Sequence, residues 1–194
     1  MMSLPFSLKY SAGPLFVALC SVVAFFFEPM SGNYLAYDRY AIQGLETWRI
    51  VSGNIVHTNG YHLLLNLAGL ALLWALHGEH YRIGLYLKVF VWCCLGTSVG
   101  LYFFSPDLIW YAGLSGALHG IFAWGACVDI KEEMKSGWLL LIGLAIKVGY
   151  EQIDGSSEQV ANLIDAKVAV DAHLFGALTG IAIFLLMFIT AKRK

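Results

Sequence analysis

Two side chains that together can carry out acyl transfer occur within strongly apolar stretches of the sequence. Ser115 lies in the stretch Gly113–Gly120, and His173 lies near the start of the last apolar stretch. A serine hydroxyl is a weak nucleophile until a neutral imidazole within hydrogen-bond reach accepts its proton. We therefore predict that Ser115 is a nucleophile and His173 its general base.

Donors for a negatively charged tetrahedral intermediate are also present. His62 and Asn66 are four residues apart, which places them on one face of a helix. The Ser115 amide is expected near a helix N-terminus, where N–H groups lack intrahelical partners. These three groups are the predicted oxyanion hole. No carboxylate is expected to orient the base, because Asp171 lies two residues before His173 and points elsewhere, so the prediction is a Ser–His dyad.

Small residues indicate how these distant parts of the chain meet. Gly116 and Gly120 form one face with small-xxx-small spacing, and Gly176 and Gly180 form another. Such faces allow two helix backbones to pack closely within a membrane. We expect the two helices to press together and bring Ser115 near His173.

Three further polar positions have more than one interpretation. His119, four residues after Ser115, is expected to support the pair together with Gly113 and Gly116. If His119 were instead the base, His119→Ala would be inactive and His173→Ala merely impaired. Lys147 and Glu151 can form an ion pair within one helix, or can contact the tail of a substrate.

The remaining histidines and the cysteines are assigned no function. His57, His77 and His80 lie at the ends of apolar stretches, where imidazoles are expected to be solvated. The four cysteines are expected to be small buried apolar residues, since none has the spacing of a zinc site.

The composition places all these residues in a membrane protein. Apolar residues make up 59% of the 194 residues and charged residues 13%, against about 25% charged in an average soluble protein. The bilayer must therefore cover much of the surface. A net charge of −1 without a basic stripe argues against binding to nucleic acid. The length indicates a single domain over residues 1–194.

Continuous apolar stretches predict membrane-spanning helices rather than barrel strands, which would be about 9–11 residues long with alternating polarity. We predict an all-α bundle with six spans: Gly13–Phe27, Tyr61–Leu76, Gly84–Phe104, Leu114–Ile130, Gly137–Tyr150 and Val168–Thr190. The Lys and Arg residues of the short loops favour both termini on the cytoplasmic side. His62, Ser115 and His173 then all lie at one level, just below the outer surface.

The ordered motifs resemble the rhomboid intramembrane serine proteases. Gly113-Leu114-Ser115-Gly116 is similar to their GxSG nucleophile motif, and Ala172-His173-Leu174-Phe175-Gly176-x3-Gly180 to their last-helix AHxxGxxxG motif. The family's first-loop and second-helix pattern is also present, in the same order, as Trp48-Arg49, His57, His62 and Asn66. The resemblance therefore covers roughly residues 45 to 185.

The resemblance implies that Ser115 attacks the scissile carbonyl and His173 acts first as base and then as acid. His62, Asn66 and the Ser115 amide would bind the oxyanion. Trp48 and Arg49 would anchor the outer loop. The substrate would be a transmembrane helix of another membrane protein, entering sideways from the lipid bilayer, and no metal or cofactor would take part.

One position departs from the usual pattern. His119 stands where most rhomboids have a Tyr that packs on the catalytic imidazole. This residue, the small size and the stretch GLSGALHG are similar to the rhombosortase branch, which is linked to proteins with a C-terminal tail of Gly-Gly, a transmembrane segment and basic residues. The resemblance implies a bacterial inner (plasma) membrane.

The sequence also bears on three other functions. A rhomboid-like protein could bind membrane helices without cutting them. Six histidines could instead supply two axial ligands to a haem. A zinc metalloprotease is disfavoured, since no HExxH motif occurs and His62 with Asn66 lacks a carboxylate.

Overall fold

The chain folds mainly into α-helices. The computed structural model describes residues 4–192. Its helices are α1 (Leu8–Phe26), α2 (Met30–Leu35), α3 (Arg39–Gln43), α4 (Arg49–Ser52), α5 (Gly60–His77), α6 (Ile83–Phe104), α7 (Ser115–Lys131), α8 (Lys135–Asp154), α9 (Glu158–Ile164) and α10 (Val170–Lys192). One turn of 3₁₀ helix, Gly78–His80, follows α5.

Four of these helices are long and apolar enough to cross a membrane. They correspond to α1, α5 with its 3₁₀ extension, α6 and α10. Many large apolar side chains on these helices are exposed, among them Phe16, Leu64, Trp92 and Leu186. Exposure of this kind suits side chains that face lipid. The chain is therefore an integral membrane protein.

Two more long helices stand at the predicted positions of the fourth and fifth spans. Helix α7 has 17 residues and is slightly shorter than the other long helices. Helix α8 has 20 residues, and its second half includes Lys147 and Glu151, which lower its mean hydropathy. Within the described residues, four helices meet the length and composition of a membrane span, and α7 and α8 are not among them.

The first predicted span begins too late. We expected it to start at Gly13, just before Pro14, but α1 begins at Leu8 and continues through the proline. Membrane helices tolerate proline when neighbouring groups compensate for the lost backbone hydrogen bond. Gly13 packs against the ring of Tyr86 in α6, so the early turns of α1 are held by tertiary contact.

The expectation of an all-α fold is also incomplete. Tyr37–Asp38 and Trp110–Tyr111 form a two-stranded antiparallel ribbon, β1 and β2, with Tyr37 opposite Tyr111. Two residues per strand are too few for a detectable alternating pattern. The ribbon joins the loop after α2 to the segment that leads into α7.

Helix α10 packs tightly against α7 through the predicted small-residue faces. A Cβ atom at Gly176 would overlap the carbonyl oxygen of Gly116, and one at Gly180 would overlap that of Gly120. The two helix backbones are thus in direct contact at both levels. Such an approach is possible only where side chains are absent.

Candidate active site

Ser115 and His173 lie at the same end of the bundle and contact each other. Ser115 is the first residue of α7, and His173 is in the first turn of α10. The Ser115 Oγ and His173 Nε2 atoms are 3.0 Å apart, within hydrogen-bond distance. The contact lies directly beside the close approach of Gly116 and Gly176. Helix packing therefore sets the distance between the hydroxyl and the imidazole.

The turn before Ser115 presents backbone groups toward the same point. Gly113 has a φ of 122°, a conformation that residues with a Cβ rarely adopt. A Cβ atom at this position would also lie 2.6 Å from Nε2 of His62. The hydroxyl of Tyr111 donates to the Gly113 carbonyl at 2.6 Å and fixes the turn. Because Ser115 begins α7, its N–H has no partner within the helix.

His62 and Asn66 are the predicted donors, and both side chains are buried beside this turn. His62 directs Nε2 toward Gly113, while its Nδ1 faces Thr58 at 3.0 Å from Oγ1. The Asn66 amide donates one N–H to the His62 carbonyl at 3.0 Å. An amide NH₂ carries two hydrogens, so this bond leaves Asn66 a second donor.

His57 is buried instead of solvated, so the expectation for this residue is wrong. Its ring packs edge-on against His62, with 5.1 Å between ring centroids. Burial, with a further effect from the neighbouring His62, lowers the pKa of His57 to about 3. The neutral His57 ring therefore packs against the His62 ring and limits its movement. The loop between α4 and α5 is therefore packed against the helices.

His119 stacks on the ring of His173. The two rings are nearly parallel, at 12°, with 4.0 Å between centroids. His119 Nδ1 lies 2.6 Å from the Ser115 carbonyl oxygen, and Nε2 lies 2.7 Å from Lys147 Nζ. The ring therefore contacts both members of the Ser–His pair but presents neither nitrogen to the Ser115 hydroxyl. Two imidazoles stacked face to face also cannot act as opposed axial ligands of one haem.

The expectation that no carboxylate is placed to orient His173 is wrong. Oε2 of Glu151, in α8, lies 2.9 Å from Nδ1 of His173, on the side of the ring opposite Ser115. Both carboxylate oxygens also accept from Lys147 Nζ at 2.8 Å. Asp171 points away from the ring, as its spacing predicted, and accepts from Ser105 Oγ. The carboxylate beside His173 thus comes from α8 and not from α10 itself.

His119, Glu151 and His173 together form a set that could hold a metal ion, since their ligand atoms lie within 4.8 Å of one another. The space between them is filled by the ammonium group of Lys147, which is 2.7 Å from His119 and 3.3 Å from His173. The positive charge at the centre of these three residues is thus supplied by Lys147.

Ser115 and His62 line two hollows. One, of about 560 Å³, lies between the segment that follows α6 and the segment between α9 and α10, and includes Asp107 and Lys167. The other, of about 420 Å³, runs between α5 and α7 and is lined mainly by apolar residues, among them leucines such as Leu65 and Leu72, as well as by His119 and Lys147. Ser115 therefore faces both a hollow with charged residues at its edge and a mainly apolar hollow, and His173 lines the second.

Trp48 and Arg49, the predicted anchors, connect the start of α4 to the end of α2. The Trp48 indole donates to the Tyr34 carbonyl at 3.0 Å. Arg49 donates to the carbonyls of Asn33 and Ala36, both at 2.8 Å. Three backbone oxygens of this region thus accept from the Trp48 and Arg49 side chains.

Sequence reasoning missed two further polar groups. Arg39 is buried and donates to four carbonyl oxygens around the end of α6: Leu101, Tyr102, Ser105 and Leu108. At the opposite end of the bundle, the buried Asp129 lies 3.3 Å from His77 and 3.0 Å from His80. His77, expected to be solvated, is fully buried. The sequence feature that could have revealed this cluster is the carboxylate of Asp129, which is costly to place in an apolar stretch.

Fold and site together define a helical membrane protein in which a serine and a histidine are in hydrogen-bond contact near one end of the bundle. Comparison with protein families gives a match to the Rhomboid domain over residues 44–190. The chain therefore belongs to the rhomboid family, whose members are generally intramembrane serine proteases or related to them. A search among curated proteins gives no match.

Proposed function

We propose that this protein is an intramembrane serine endopeptidase that cleaves a peptide bond in or next to a transmembrane segment of another membrane protein. The observation that carries the proposal is the 3.0 Å contact between Ser115 Oγ and His173 Nε2. In this reaction His173 accepts the hydroxyl proton while Ser115 Oγ attacks the scissile carbonyl. His173 then gives that proton to the leaving amine, and water releases the acyl group from Ser115.

The charge that develops on the carbonyl oxygen requires preorganised donors. The Ser115 N–H, the second N–H of Asn66 and the Nε2 side of His62 all surround the Gly113 turn. Their convergence supports an oxyanion hole formed by α5 and α7. Gly113 keeps this space open, since a side chain there would occupy the position that faces His62.

Access to the site follows from its two hollows. The leucine-lined hollow along α5 suits an apolar helix that enters from the bilayer, whereas the hollow beside the loops can admit water and an unwound polar segment. We place six spans in the membrane, with α7 and α8 as the two additional ones, and both termini on the cytoplasmic side. The site then lies just below the outer surface of a bacterial inner membrane.

A narrower assignment rests on the motif around Ser115. The GLSGALHG stretch resembles the rhombosortase branch, and His119 stacks where other rhomboids have a Tyr. On this assignment the substrates have a C-terminal tail of Gly-Gly, a transmembrane segment and basic residues. The alternative, a rhomboid-like protein that binds helices without cutting them, would need no contact between Ser115 and His173.

The test is cleavage of a reporter in liposomes that contain the purified protein. One reporter has the Gly-Gly, transmembrane and basic tail, and a second has an unrelated transmembrane helix. We expect the first to be cut by the wild-type protein and by neither Ser115→Ala nor His173→Ala. Cleavage by Ser115→Ala would contradict the endopeptidase proposal. Cleavage of the second reporter alone would contradict the narrower assignment.

A further inference from the structure

We infer that Glu151 is a positioning residue that completes a Ser–His–Glu triad, with Lys147 holding its carboxylate in place. The inference rests on the proposed function. Its starting observation is that His173 is bound on both ring nitrogens, by Ser115 at Nε2 and by Glu151 at Nδ1. Side chains from three helices, α7, α8 and α10, thus meet in one line.

The hydrogen positions follow from which groups can donate. An ionised carboxylate only accepts, so in a neutral imidazole the 2.9 Å contact with Glu151 places the proton on Nδ1. The Lys147 ammonium lies 3.3 Å from the same nitrogen, but its three hydrogens are directed to the three shorter contacts with His119 and the two Glu151 oxygens. Nε2 then has a lone pair, and the Ser115 hydroxyl must be its donor. This is the tautomer that a general base needs. A His173 without Glu151 could carry its proton on either nitrogen.

Lys147 makes an ionised Glu151 tolerable at this site. A lone carboxylate in an apolar environment is costly, whereas a paired and hydrogen-bonded one is much less so. Both Glu151 oxygens contact the Lys147 ammonium at 2.8 Å, and the Glu151 side chain is only 13% exposed. Lys147, whose side chain is 46% exposed, connects the pair to solvent. The ion pair therefore holds a negative charge directly behind His173.

The same ammonium fixes the neighbouring ring. Lys147 can only donate, so Nε2 of His119, 2.7 Å away, must accept. The His119 proton is then on Nδ1 and is donated to the Ser115 carbonyl. With both nitrogens engaged, His119 has no lone pair for the Ser115 hydroxyl. His173 remains as the base of the site.

During acylation the proton of Ser115 Oγ moves to His173 Nε2 as Oγ bonds to the substrate carbonyl carbon. The imidazolium that results keeps its Nδ1 proton and donates a hydrogen bond through it to Glu151. Glu151 stays ionised and stabilises the positive ring. When the leaving amine takes the Nε2 proton, His173 returns to its starting tautomer. Glu151 touches neither substrate nor reacting atoms and acts only through His173.

The experiment compares wild type, Glu151→Gln and Asp154→Asn in the liposome assay. Asp154 is an exposed carboxylate at the end of the same helix and serves as the matched control. Loss of the orienting carboxylate in serine proteases lowers kcat by about 10⁴-fold. We expect Glu151→Gln to lower kcat by about 10²- to 10⁴-fold with little change in KM and in the thermal unfolding midpoint. Asp154→Asn should match wild type.

The second measurement needs no variant. Nitrogen-15 NMR of histidine-labelled wild-type protein reports which ring nitrogen of His173 carries the proton, with His173→Gln used for assignment. We expect the proton on Nδ1 in wild type and a shift toward Nε2 in Glu151→Gln. A purely structural role for Glu151 would not change the tautomer.

Several outcomes would overturn the inference. These are a Glu151→Gln kcat within about twofold of wild type, or a wild-type His173 with its proton on Nε2. Loss of wild-type activity on treatment with a metal chelator would also overturn it, because a metal ion would then replace Lys147 at the centre of the set. Activity in Ser115→Ala would instead refute the proposed function itself, so the two failures are distinguishable.

Discussion

Replacing Gly176 by alanine tests the claim that helix packing creates the site. A Cβ atom at this position would overlap the carbonyl oxygen of Gly116 in α7. This obstacle is backbone, which cannot rotate away as a flexible side chain can. Helices α7 and α10 must therefore separate where they now touch.

The size of the effect follows from the geometry. The added Cβ falls well inside 3.0 Å of the carbonyl oxygen, so relief of the overlap requires a separation of at least about 1 Å. Ser115 adjoins Gly116, and His173 lies one turn before Gly176. Their 3.0 Å contact would lengthen beyond hydrogen-bond range. We expect activity to fall about 10²-fold and stability to fall by about 1–3 kcal/mol.

The assay combines reporter cleavage with thermal unfolding in detergent. Gly143→Ala in α8 is the matched control, because a Cβ at this position meets nothing within 4 Å. We expect Gly143→Ala to retain wild-type activity and stability. A Gly176→Ala protein with wild-type cleavage and an unchanged unfolding midpoint would refute the role of the α7–α10 contact.

Three further substitutions have distinct expected results. His119→Phe keeps a ring stacked on His173 but loses two hydrogen bonds, so cleavage should fall about tenfold and not vanish; complete loss would assign His119 a larger role. Asn66→Ala removes a predicted oxyanion donor and should lower the rate of cleavage by about 10²-fold at constant KM; an unchanged kcat would remove Asn66 from the oxyanion hole. Arg39→Met removes the guanidinium from four carbonyl oxygens, of which those of Leu101 and Ser105 keep a backbone donor, so the free energy of unfolding measured in detergent should fall by about 2–5 kcal/mol; a fall below about 1 kcal/mol would contradict this role.

The sequence was sufficient to predict the meeting of Ser115 and His173. Polar side chains stand out in an apolar stretch because membrane burial makes them costly. The glycine faces then indicated which two helices approach closely, and both faces are in contact in the structure. Periodicity and polarity along one helix suffice for this kind of inference, because each element carries its own pattern.

Glu151 shows where such reasoning stops. Its charge and its spacing from Lys147 are visible in the sequence, but its contact with His173 depends on the rotation of α8 about its axis and on the distance from α8 to α10. Neither the rotation nor the distance can be deduced from the local sequence pattern of α8. The ribbon at Tyr37 and Tyr111 was missed for a similar reason, since its pairing joins segments more than 70 residues apart through only two residues each.

The central claim is that His173 makes the hydroxyl of Ser115 nucleophilic, and covalent labelling measures this most directly. Purified protein in detergent is treated with a serine-reactive fluorophosphonate, digested and mapped by mass spectrometry. We expect one modified peptide, with the added mass on Ser115, and no modification in His173→Ala although that variant remains folded. Labelling of Ser115 at the wild-type rate in His173→Ala, or labelling at a different serine, would contradict it.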